Sequence, residues 1–106
     1  MARTYVQVEL VKRSSKIASA VWEAMRKRGF RRTVRGQPSR RTLRLPEGMF
    51  VVDRTTPAEA LKLTRAALAD LRVEARIFCV PGGGDVRFGN LTLDDARDGQ
   101  DSSAPA

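Results

Sequence analysis

The chain contains no histidine. That excludes an imidazole base, a Ser-His or Cys-His nucleophile pair and a His-based metal site. A single cysteine, Cys79, can form neither an internal disulfide nor a zinc cluster, which fits a reducing cytoplasm. No apolar run approaches the roughly 20 residues that a membrane span needs. The opening MARTYVQVEL also lacks the basic, apolar and small-residue succession of a secretory signal. These absences leave a cytoplasmic domain with no membrane partner, no metal and no expected cofactor.

What remains is 106 residues, 42% apolar and 30% charged, enough for one domain with one core. Residues 1–93 read as that domain, and 94–106 as an acidic disordered tail of small and polar residues. The net charge is +8, from 20 Lys and Arg against 12 Asp and Glu. It favours acidic partners, but it is unevenly placed. Residues 1–45 hold 13 basic side chains against Glu9 and Glu23, a net of +11, and residues 46–106 hold 7 against 10, a net of −3. Arg26, Lys27, Arg28, Arg31, Arg32, Arg35, Arg40, Arg41 and Arg44 fall within 19 residues that include no acid. Ordinary soluble surfaces intersperse the two signs. Arginine's planar fork also suits phosphate oxygens and stacks on bases. These nine residues are therefore the expected nucleic-acid-binding set.

Periodicity supplies the elements. Thr4 to Val11 alternates, with Val6, Val8 and Leu10 on one face and Tyr5, Gln7 and Glu9 on the other, as in a half-buried strand. Ser14 or Ser15 can cap a helix whose stripe is Ile17, Val21, Ala24, Met25 and Arg28, ending at Gly29. A second strand is expected over Phe30–Arg35, followed by a long basic hairpin loop to Leu45. Pro46-Glu47-Gly48 is a turn into a third strand, Met49–Arg54. Thr56-Pro57-Ala58-Glu59 is a strong helix start, and the stripe runs on to about Leu71. Arg72–Val80 is a fourth strand, and Val86–Leu93 is compatible with a short fifth one. The order is that of an α+β, ferredoxin-like βαββαβ domain, an antiparallel sheet with both helices on one face. The other face is expected to stand uncovered.

On that open face Tyr5, Gln7, Arg76 and Phe78, with Glu9, would serve base stacking or close a homodimer. Glu9, Asp53 and Glu74 are carboxylates suited to Mg²⁺ or to ion pairs with nearby arginines. Gly82-Gly83-Gly84 lacks the Lys-Ser/Thr and following helix of a phosphate loop and reads as a turn. Cys79 alternates with the inward residues and reads as packing, and so do Trp22 and Met25 at helical spacing.

The TYV-type first strand, the M-x-x-x-G-F helix end (Met25 to Phe30) and the L-P-x-G-x-F turn (Leu45 to Phe50) come in sequence. Over about residues 4–80 this order resembles the GhoS-type antitoxin endoribonucleases. Those are ferredoxin-like proteins of toxin–antitoxin systems, related in fold to VapD-type ribonucleases and small CRISPR-associated nucleases. The resemblance implies the same fold, contact with RNA and endoribonuclease activity. The family's functional arginine in the middle of the first helix corresponds here to Trp22 and Glu23, with Arg26 and Arg28 nearest. The relatives' Asp at the end of strand one corresponds to Glu9.

The expected function is that of a small basic RNA-binding protein, with antitoxin-like RNA cleavage as its specific form and no catalytic residue assigned. The alternative is a non-catalytic protein-binding module, such as a phage or mobile-element inhibitor, using the basic face against an acidic partner. A small-ligand regulatory domain is a third class, for which the sequence carries no pocket signature.

Overall fold

In a computed structural model of the chain, residues 3–35, 41–83, 89 and 91 are described. Among them the order is β1 (Arg3–Leu10), α1 (Ser15–Lys27), β2 (Thr33–Arg35), β3 (Thr42–Arg44), β4 (Met49–Asp53), α2 (Pro57–Leu71) and β5 (Ala75–Pro81). The fold is α+β and small, with two helices and antiparallel strands. No described helix is long and apolar enough to cross a membrane.

Local chemistry sets the helix boundaries. The Ser14 hydroxyl accepts the Ile17 amide at 3.0 Å and caps α1, satisfying one of the amides a helix start leaves without a partner. Past its end, Gly29 sits at φ 93°, which a residue without Cβ adopts at no steric cost. In α2, Thr56 and Glu59 form a reciprocal capping box with Pro57 in the first turn.

β1 is the central strand of a three-stranded sheet, ordered β4-β1-β5 and antiparallel throughout. Both helices pack on one face. Val6 and Val8 of β1 and Phe50 and Val52 of β4 form one buried cluster with Val21 and Met25 of α1 and Ala60, Ala67 and Leu68 of α2. Cys79 packs at the margin of this cluster, and burial pushes its thiol pKa up.

Two expectations need correction. The segment up to Leu45 is not all loop: Thr42–Arg44 pairs with Thr33–Arg35 as a separate two-stranded ribbon. Among the described residues, the expected second strand pairs its backbone with the main sheet only at a bridge between Arg31 and Val51, whose amides and carbonyls exchange two bonds of 2.9 Å. The reason lies in where the apolar side chains go. Phe30 is buried in the helix-side cluster, whereas Val34 is buried in a second cluster with Tyr5, Leu45 and Val51. The chain bends at Arg32 to serve both.

The second cluster is also why the other face is not uncovered. Tyr5, Val34, Leu45 and Val51 are 4% to 7% exposed, or fully buried in the case of Val51. Leu43, Met49, Val80 and Leu91 pack around them. Apart from Gly89 and Leu91, the expected fifth strand lies outside the described residues, as do the tail and Arg40.

Candidate nucleic-acid interface

The β2–β3 ribbon has two faces. Val34 and Leu43 oppose one another and turn toward Tyr5 and Val51. Their neighbours alternate to the other side, where Thr33 faces Arg44 and Arg35 faces Thr42. Arg35 and Arg41 are exposed, and Arg44 is half-buried. The ribbon thus carries a basic outer surface on an apolar underside.

The rest of the expected set sits around the end of α1, and acids engage much of it. Arg26 is hydrogen-bonded to Glu23, one helical turn earlier, and holds its carboxyl below the usual range. Arg28 donates to Asp70 of α2 at 2.6 Å. Arg31 bonds Asp53 and also donates to the Thr33 carbonyl at 3.2 Å. Lys27 is exposed. Arg32 takes a different role: its guanidinium carbon lies 4.1 Å from the centroid of the Trp22 ring, an attraction worth about 0.5–2 kcal/mol. Trp22 in turn stacks on Phe50, with centroids 6.0 Å apart and planes 11° from parallel.

Asp53 is a junction. It accepts from Arg31 of the bridge and, at 3.1 Å, from Arg3 of β1. Burial raises its carboxyl pKa, but the two arginines more than offset this and the net shift is downward. Arg3, Arg28 and Arg54 line a cavity of about 710 Å³ beside it. Arg54 holds a left-handed backbone, φ 55°, which is costly for a residue with a Cβ. Arg3 and Arg54 therefore join the basic surface. Position in the chain gave no hint of either, because each is separated in sequence from the arginine run.

The residues expected on the open sheet face separate. Tyr5 is 7% exposed under the ribbon and is withdrawn from any stacking role. Phe78 is 67% exposed, opposite half-buried Gln7 and two residues from exposed Arg76. Phe78 lies one row along from the Tyr5–Val80 pair that the second cluster covers. Glu9 accepts from Arg76 at 3.4 Å, so the ion-pair reading of that carboxylate holds.

A larger cavity of about 840 Å³ opens between α1, the end of β1 and the segment from Arg44 to Phe50. Continuing the Arg31–Val51 register would set Thr33 beside Met49, but the bend at Arg32 takes the chain away. No family model, curated protein or solved structure matches the chain.

Proposed function

We propose that this protein binds single-stranded RNA, gripping phosphates with the β2–β3 ribbon and the end of α1 and stacking a base on Phe78. The carrying observation is the two-faced ribbon. Val34 and Leu43 anchor its underside, while Arg35 and Arg44 alternate to the opposite face and exposed Arg41 precedes β3. Guanidinium groups along a β-ribbon pair with phosphate oxygens and offset the charge of a phosphate backbone. An exposed aromatic on a sheet suits unpaired bases, which is how single strands are read. Antitoxin-like cleavage is the more specific form of the proposal. With no histidine, it would lean on arginine, which stabilises charge but does not carry protons near neutrality.

Fluorescence anisotropy with a labelled single-stranded RNA, from 50 to 500 mM salt, tests the reading. Affinity should fall by about 0.7 log units per decade of salt for each phosphate contact. A Lys27→Ala, Arg35→Ala, Arg41→Ala variant should flatten that slope by about 2. Phe78→Ala should weaken binding by about 1–3 kcal/mol without changing the slope. Millimolar affinity at 50 mM salt, or an unchanged slope in the triple variant, overturns it. A mixed RNA pool incubated with and without EDTA decides between binding and cleavage.

A further inference from the structure

Apart from Arg44 of the ribbon, the cavity under α1 is a feature that the RNA proposal does not use. Its volume, about 840 Å³, lies within the range of small-molecule sites. The lining combines three kinds of group. Val8, Val21, Leu45 and Phe50 make an apolar floor. Arg32, layered on Trp22, which itself stacks on Phe50, supplies a flat guanidinium π surface. Arg13 and Arg44 add two more guanidinium groups, and Ser15 and Ser19 add hydroxyls.

Flat π surface and several guanidinium groups within one concavity select a ligand that is itself planar at one end and anionic at the other. Purine and pyrimidine rings stack on tryptophan and on guanidinium planes alike, and phosphate oxygens pair with the arginine fork. The charge count limits the anion. Arg13, Arg32 and Arg44 are set against Glu9 and Glu47 on the lining, and Arg76 engages Glu9 from outside it, so the formal excess is two positive charges. That excess matches the near-dianion of one phosphate and disfavours a triphosphate. Glu47 can accept from ribose hydroxyls or an exocyclic amine.

We infer that this cavity binds a nucleoside monophosphate, either free or as the 5′-phosphorylated end of a strand. The site goes beyond the RNA proposal and does not depend on it. Trp22 is the only tryptophan of the chain and lines the cavity, so its own emission reports occupancy.

The test is titration of the full chain with AMP and UMP, read by Trp22 fluorescence and checked by calorimetry, with adenosine and inorganic phosphate as half-ligands. Saturable quenching at or below about 1 mM is expected for the mononucleotides and at least tenfold weaker binding for either half alone. Arg13→Ala changes an exposed side chain and should weaken AMP at least threefold without altering the thermal midpoint. Arg44→Gln should also weaken AMP at least threefold. Quenching linear in ligand, binding indifferent to both variants, or inorganic phosphate binding as well as AMP overturns the inference. A 5′-phosphorylated oligonucleotide compared with its 5′-hydroxyl twin tells the strand end from the free nucleotide. If AMP saturates and the RNA salt slope is absent, the cavity stands and the RNA reading alone falls.

Discussion

Gly48 shows how little freedom a single position can have. It sits at φ 84°, and a Cβ there would lie 2.7 Å from the Val8 carbonyl oxygen. The Val8 amide also donates to the Gly48 carbonyl at 2.7 Å. Gly48→Ala should therefore cost at least about 2 kcal/mol, the left-handed penalty plus the clash, read from urea melts. Asp53 tests charge instead of shape. Its carboxyl pKa is lowered in the folded state, so its contribution is present above the unfolded carboxylate value of about 3.9. That contribution is lost as pH falls through the lower folded value. Because the side chain is 49% exposed, solvent screens the pair. Asp53→Asn should cost about 0.5–1 kcal/mol at pH 7, and the gap to the parent should close in melts taken near pH 2.

At the scale of elements, the sequence was most legible where chemistry is local. Thr56, Pro57 and Glu59 carry a complete helix start within four residues, and α2 begins there with both reciprocal bonds formed. Thr56→Ala should cost about 1 kcal/mol, measured by the same melts, and should not affect ligand or RNA binding. β1 was equally clear, since period-two alternation over eight residues is hard to mistake. β3 was not. Thr42–Arg44 is a three-residue strand, and the alternation that marks it, Leu43 and Leu45, stops at Pro46 after two apolar residues. What makes it a strand is Leu43 meeting Val34 across the ribbon and Tyr5 beneath it, a contact between distant parts of the chain. For the same reason the burial of Tyr5 could not be foreseen from the pattern of β1 alone.

For the whole molecule, the split of charge found in the sequence survives, but its use is divided. Arg28 and Arg31 are tied to Asp70 of α2 and Asp53 of β4, so part of the basic run joins elements, and Arg26 pairs with Glu23 inside α1. Lys27 and Arg35 are exposed. A run of arginines in sequence cannot reveal which of them will meet acids contributed from 20 or 40 residues away. The cavity was invisible for a related reason: its lining is assembled from α1, the end of β1, Arg32 and the segment Arg44–Phe50, which are separated in the chain. Long-range field, by contrast, follows from composition. Residues 94–106 carry four Asp and one Arg, so deleting them raises the net charge from +8 to +11. The shortened chain should associate with RNA faster than the parent at low salt, with the difference vanishing near 0.5 M, as stopped-flow would record.

The single Arg31–Val51 bridge has a further consequence, for the order in which the protein opens. β1 is bonded on both sides, whereas among the described residues the ribbon is joined to the sheet backbone by that one bridge and otherwise rests on side-chain contacts. Cooperative units defined by few shared bonds open separately, at a fraction of the global free energy. In native-state hydrogen exchange, the amides of Val34 and Leu43 should trade their protons well before those of Val6 and Val8. The basic face can then lift from the sheet while the helices stay packed.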